Sequence, residues 1–181
     1  MLRIHLEHLK DKSLSLELAV AADRFPVLRQ MTRAGECGFA GPIAIRLKAT
    51  RIGELVEVEG EFDTSLRLTC SRCLRQFLSP ARSAFALTYA PEESAAAGGE
   101  PVPLRPDAED AGLLGFYGDT IDLHEGIQEQ VILSLPLRPL CAEACRGLCA
   151  QCGADLNEGP CGCRAPGAET AFAVLRKLKG A

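Results

Sequence analysis

Apolar and polar residues alternate with period two through most of the first half of the chain. In IAIRLKA, from Ile43, the residues Ile43, Ile45 and Leu47 fall on one face, and in LVEVEGEF, from Leu55, Val56 and Val58 interleave with acids. Such alternation marks a half-buried strand. TRIGE between them supplies a turn at Gly53, and the second strand continues through SLRLTC, so a long hairpin arm is expected to deliver Cys70 and Cys73. AFALTYA, Ala84 to Ala90, alternates again and closes the sheet. RIHLEHL and SLSLELA near the N-terminus alternate too, giving five or six strands, whereas FPVLRQM from Phe25 is ambiguous.

The pattern changes after residue 90. PEESAAAGGEPVPLRPDAEDAGLLG, from Pro91, is too polar and too punctuated by Pro and Gly to fold alone, and reads as a flexible acidic loop over 91–118. DTIDLHEGIQEQVILSLP then predicts a short strand and a helix, with Asp122 as N-cap, Glu125 completing a capping box and Pro136 ending the element. Leu123, Ile127, Val131 and Leu135 recur at spacing four, a stripe for packing on the sheet. ETAFAVLRKLKG near the C-terminus puts Phe172, Leu175 and Leu178 on one side, Lys177 and Lys179 in the last turn and Gly180 as a stop, which is a helix signature. The expected fold is α+β: an N-terminal antiparallel β-sheet or partial barrel over 1–90, packed by one or two helices. After the loop, residues 119–181 are expected to form a helix, a cysteine-rich zinc knuckle and a C-terminal helix.

A chain of 181 residues with 47% hydrophobic content suits one domain with a core of its own. Net charge is −4, which argues against a general nucleic-acid binder, but the acidity is local. Residues 1–90 carry 13 Lys/Arg against 10 Asp/Glu, residues 91–130 carry one against 10, and residues 131–181 carry six against four. Contact with RNA would therefore rest on local basic residues.

The N-terminus lacks a positive segment followed by an apolar run and a small-residue cleavage site, and no stretch approaches the roughly 20 apolar residues of a membrane span. A reducing cytoplasm is the expected setting, where closely spaced cysteines hold metal more often than they pair as disulfides. Of nine cysteines, Cys37 stands alone and reads as a small buried hydrophobe. The other eight form CSRC at Cys70 and Cys73, a run at Cys141, Cys145, Cys149 and Cys152, and a pair at Cys161 and Cys163. A C-x2-C pair turns the backbone so that two thiolates converge on one ion, and tetrahedral Zn²⁺ takes four such sulfurs at about 2.3 Å. Gly147 and Gly153 beside the pairs can take the positive φ that metal-binding turns need, and Asn157, Gly159 and Pro160 turn the chain back toward Cys161. Without a ferredoxin-like run ending in Cys-Pro, zinc stays ahead of an iron–sulfur cluster.

Catalytic motifs are missing from the sequence: there is no GxSxG, HExxH, P-loop or GxGxxG after a strand. His5, His8 and His124 are scattered, and capping accounts for Asp122 and Glu125. All-cysteine sites are closed and structural, so the sequence predicts a protein that is not an enzyme and takes no small-molecule substrate. Arginines flank the cysteines: Arg72 inside CSRC, Arg75 after it, Arg138 and Arg146 about Cys141 and Cys145, and Arg164 after Cys163. Held on rigid turns, their guanidinium groups can grip phosphate or stack on a base; their plainer role is to offset thiolate charge.

LTCSRCLRQF at 68–77, IDLHEGIQEQVILSLPLRPLC at 121–141, CRGLCAQCGADLNEGPCGC at 145–163 and FAVLRKLK at 172–179 together resemble the YceD family of large-subunit ribosomal RNA accumulation proteins. The resemblance implies a bacterial cytoplasmic or plant organellar protein with no known catalytic activity. Such a protein supports synthesis, processing or stability of 23S ribosomal RNA, and so large-subunit assembly. It also places the family's cysteine pattern on the eight clustered positions; the partition expected here is Cys149, Cys152, Cys161 and Cys163 as one site and Cys70, Cys73, Cys141 and Cys145 as another. Two roles follow: a factor contacting ribosomal RNA or the assembling particle, or a protein-binding adaptor that recruits a ribosomal protein or an RNA-processing enzyme through the acidic loop or a sheet edge.

Overall fold

A computed structural model of the chain describes residues 2–9, 13–92 and 112–163. The alternation is realised most fully in two strands. β4 (Ile43–Ile52) buries Ile43, Ile45, Leu47 and Ala49 and turns Arg46 and Lys48 outward, while β5 (Leu55–Thr69) buries Val56, Val58, Phe62, Thr64, Leu66 and Leu68. Their two-residue turn sets Gly53 at φ 65°, and the register runs from Ile52↔Leu55 to Ala44↔Asp63. β2 (Leu14–Val20) pairs along the free side of β4, and the short β3 (Gly38–Phe39) takes over the edge of β5 where β4 ends.

β6 (Gln76–Pro91) is longer than the alternation of AFALTYA suggests, pairing with β5 from Thr69↔Gln76 to Val56↔Tyr89. Its first half contains Pro80, tolerated because, among the described residues, no strand lies on the other side of that half. The turn between β5 and β6 is CSRCLR, so the hairpin arm does carry Cys70 and Cys73 at its tip.

Three expectations are corrected. β7 (Leu113–Phe116), inside the segment read as loop, pairs with the end of β6 in parallel, so the sheet is not wholly antiparallel. LLGF is too short to show alternation, and pairing with the edge of β6 makes it a strand. β1 (Arg3–His5) and β8 (Thr120–Asp122) form a separate two-stranded antiparallel ribbon, and the chain after His5 turns into a 3₁₀ segment, Leu6–Leu9, with the Leu6 N–H donating to the Asp119 carbonyl. The main sheet runs β2-β4-β5-β6-β7 and stays open, without barrel closure among the described residues.

FPVLRQM, ambiguous by period, is the helix α1 (Pro26–Ala34). Pro26 presets its first turn, and Gly35 closes it at φ 74° with its N–H donating to the carbonyls of Met31 and Thr32. α2 (His124–Leu133) buries the predicted stripe of Leu123, Ile127 and Val131. Its N-cap is Leu123, not Asp122; the Asp122 carboxylate instead accepts the His124 N–H at 3.0 Å and faces the His124 ring at 2.7 Å. Among the described residues Glu125 makes no reciprocal capping bond.

One apolar cluster joins the face of β4, β5 and β6 to Phe25 and Leu28 of the α1 region and to Phe116, Ile121, Leu123, Ile127 and Val131 from beyond the loop. Residues 1–90 therefore complete their core only with the segment after it. A second cluster, Cys37, Leu66, Leu68 and Ala81, leads along β5 toward a third made of Cys70, Cys73 and Cys145, with Phe77 packed against both. No helix among the described residues is long and apolar enough to cross a membrane. The expected loop residues 93–111, Arg164 and the expected C-terminal helix lie outside the described residues.

Candidate metal centres

The first centre forms where the β5–β6 tip meets the chain returning from α2. Pro139 carbonyl accepts the Ser71 N–H at 2.8 Å, which lays residues 139–145 across the tip. Cys70, Cys73 and Cys145 are buried and Cys141 is half-buried, with Phe77, Leu140 and Leu148 around them. The Cys70 and Cys145 sulfurs stand 3.8 Å apart and those of Cys73 and Cys141 3.6 Å apart. Four sulfurs at 2.3 Å from a tetrahedral ion would be separated by about 3.8 Å, whereas a disulfide would bring two to about 2.05 Å. All nine cysteines are free thiols.

Cys149, Cys152, Cys161 and Cys163 make the second centre, and in each quartet the sulfurs lie within 4.8 Å of one another. The two C-x2-C turns repeat one geometry. The first sulfur accepts an N–H two residues on, Arg72 N to Cys70 Sγ at 3.5 Å and Gln151 N to Cys149 Sγ at 3.4 Å. The first carbonyl accepts the N–H four residues on, Leu74 N to Cys70 O at 3.0 Å and Gly153 N to Cys149 O at 2.9 Å. The closing residue takes a positive φ, 72° at Gly153 and 59° at Leu74. Leucine carries a Cβ penalty in that conformation that glycine does not.

A web of short bonds joins the centres. Leu148 N–H donates to the Arg72 carbonyl, and Gly147, at φ 75°, brings its backbone so close that a Cβ there would stand 3.0 Å from that oxygen. Asn157 of the second loop donates from Nδ2 to Cys145 Sγ at 3.5 Å and accepts the Arg146 N–H at 2.8 Å. Arg75 reaches Asp155 at 3.1 Å and Glu158 at 3.6 Å.

Each quartet is poised to hold one thiolate by itself. The Cys73 N–H, then that of Cys141, brings Cys70 down to about 6, and the amides of Cys152 and then Gln151 bring Cys149 down to about 6. The last proton resists: the neighbouring Cys73 sulfur, then burial, pushes Cys141 up to about 12, and Cys152, then burial, does the same to Cys163. Four thiolates need a positive ion among them, and the donor set suits a dication with a preference for sulfur. Cys37 sits among Leu66, Leu68 and Ala81, and burial followed by the Glu36 charge raises its pKa, so it packs as a protonated hydrophobe.

The family model described as "Large ribosomal RNA subunit accumulation protein YceD" matches residues 58–179, about two thirds of the chain and the span that contains all eight clustered cysteines. The chain belongs to the YceD family. That description names ribosomal RNA accumulation, not a reaction. An uncharacterized protein of Mycobacterium leprae is 28% identical over 122 residues, covering 67% of this chain and 52% of its own length. One of Mycobacterium tuberculosis is 30% identical over 114 residues, covering 63% and 51%. The chloroplastic YCED homolog 1 of Arabidopsis thaliana, named as a large ribosomal RNA subunit accumulation protein, is 32% identical over 59 residues, 33% of this chain and 18% of its own. The chain thus spans about half the length of its mycobacterial relatives. No solved structure gives a significant match.

The arginines flanking the cysteines in this YceD chain divide into two kinds. Arg72 donates to the carbonyls of Cys145 at 2.8 Å and Glu143 at 3.2 Å, strapping the two limbs of the first centre, and Arg75 ties the first knuckle to the second loop. Arg138 and Arg146 are exposed, and among the described residues their guanidinium groups have no bonded partner. Sequence reasoning treats Asn157 as a turn former and misses Asp155. Their bonds to Cys145 and Arg75 arise only once the second loop folds over the first.

Proposed function

We propose that each cysteine quartet binds a structural Zn²⁺. The chain itself acts as a non-enzymatic cytoplasmic factor supporting 23S ribosomal RNA synthesis, processing or stability, and so large-subunit assembly, through contact with ribosomal RNA or the assembling particle. The observation that carries this reading is the family match together with two all-sulfur quartets at tetrahedral spacing. Zinc would supply fixed positive charge and four bonds per site, holding a segment too poor in apolar residues to fold alone. Arg138 and Arg146 are the cations at the knuckle, among the described residues, still available to phosphate, since Arg72 and Arg75 are engaged within the protein; Arg164, the fifth arginine of the sequence reading, lies outside the described residues.

Crosslinking of the tagged protein in cells followed by RNA sequencing tests the reading. Enrichment of 23S reads over 16S reads, with loss of 23S on depletion of the protein, is the expected result. A protein crosslink to a ribosomal protein or processing enzyme without any ribosomal RNA would instead favour the adaptor role and overturn direct RNA contact.

A further inference from the structure

Two clefts among the described residues lie along α1, where no cysteine motif reaches. One cleft of about 680 Å³ is lined by apolar Ala22, Phe39 and Pro42 together with Arg29 and Arg33. A second, about 350 Å³, shares Arg29 and Asp23 with it and adds Arg3, Arg24 and His124. The two form one trough carrying four arginines, with Asp23 as the one acid among its lining residues. Arg3 is paired with Asp122 at 3.0 Å, and Asp122 also holds the His124 ring, so that end is partly neutralised. Arg24, Arg29 and Arg33 are exposed and take part in no ion pair among the described residues.

The charges on and before α1 have only partial compensation from the helix itself. Arg29 and Arg33 stand at i,i+4 with no acid on α1, a like-charge pairing, and Arg24 sits just before the positive end of the helix dipole, whereas Arg33 in the last turn is favoured by that dipole. The helix is nevertheless held rigidly, by buried Phe25 and Leu28 and by the Gln128 amide oxygen accepting the Val27 N–H at 2.8 Å. Three arginines without an ion-pair partner among the described residues, on and just before a helix anchored in the core and beside the apolar Phe39 and Pro42, suit an external polyanion whose bases can enter the cleft. All are arginine, which grips phosphate bidentately and stacks on bases, and none is lysine.

We infer that the α1 trough binds a single-stranded RNA segment, with phosphates on Arg24, Arg29 and Arg33 and a base against Phe39. The inference rests on the RNA-contacting reading above but places the contact apart from the knuckle. Single strands release about 0.7 counterion per phosphate neutralised, so the three arginines account for a salt slope of about 2.

Anisotropy of a fluorescein-labelled oligouridylate, titrated with the full chain across a KCl series, is the test. Replacing all three residues (Arg24→Ala, Arg29→Ala, Arg33→Ala) should weaken binding roughly tenfold or more and lower the slope by about 2, with an unfolding midpoint no lower than that of the natural chain. Should the triple variant prove unstable, Arg29→Gln alone should lower the slope by about 0.7. Full affinity in these variants overturns the assignment, and if binding is lost in an Arg138→Ala, Arg146→Ala variant instead, the knuckle is the RNA site and the function proposed above survives. No binding by the natural chain sinks both. Equal displacement by polyglutamate or an acidic protein marks the trough as a general anion surface and also overturns the RNA assignment.

Discussion

Leu74 is the sole non-glycine residue at positive φ among the described residues, and it stands where the second knuckle has Gly153. Its side chain is exposed, so little packing offsets the backbone cost. Leu74→Gly should raise stability by about 1 kcal/mol, the left-handed penalty less the freedom glycine regains on unfolding, as read from urea midpoints. A drop in the midpoint would show that the leucine side chain makes a contact of its own. Asn157 is the other telling residue, because its amide supports the Cys145 sulfur from the opposite loop. Asn157→Ala should weaken metal retention about tenfold in a chelator competition, the usual scale for groups behind a ligand; unchanged retention would make it a turn residue only. At this scale the cysteines were legible because their spacing is itself the chemical signal. The roles of Arg72, Arg75 and Asn157 were not, because each depends on a partner some 70 to 80 or 11 to 12 positions away that only the fold supplies.

Elements were legible where one periodicity runs long enough. β4 and β5 bury alternate residues as their sequences propose, and the stripe of α2 faces the core. α1 escaped because its buried contribution is one residue, Leu28, and its real signature is punctuation, Pro26 at one end and Gly35 at the other. The start of β6 escaped because Pro80 interrupts it, and β7 because its strand character comes from pairing with β6. The N-terminus of α2 yields a pH prediction. Desolvation, the largest influence on Asp122, pushes its pKa up, but the His124 N–H, the His124 ring and Arg3 together outweigh it, and the net shift is downward. A carboxylate depressed in the native state adds stability that is present above about pH 4 and is lost as pH falls through the native value. The stability difference between the natural chain and Asp122→Asn should shrink on acidification below about pH 4; a difference that does not change over that range would show that the carboxylate adds no stability.

Across the whole molecule, apolar burial fades from one end to the other. The cluster between the sheet and the helices gives way along β5 to a small cluster around Cys37 and then to one in which sulfur itself is the buried group. The second quartet has no cluster of its own among the described residues, and its cysteines are half-buried or exposed. Metal is thus expected to replace a hydrophobic core in residues 139–163, while the sheet stands on its own packing. Chelation should abolish amide protection in that segment and leave β4 and β5 protected in hydrogen exchange; uniform protection would show that the segment holds without an ion. The most direct check is elemental analysis of the full chain purified without added metal. Two zinc ions per chain, falling to one when Cys161 is replaced by serine, is the result the two quartets predict. A chain that retains its fold with no bound metal and eight freely titrating thiols would contradict it.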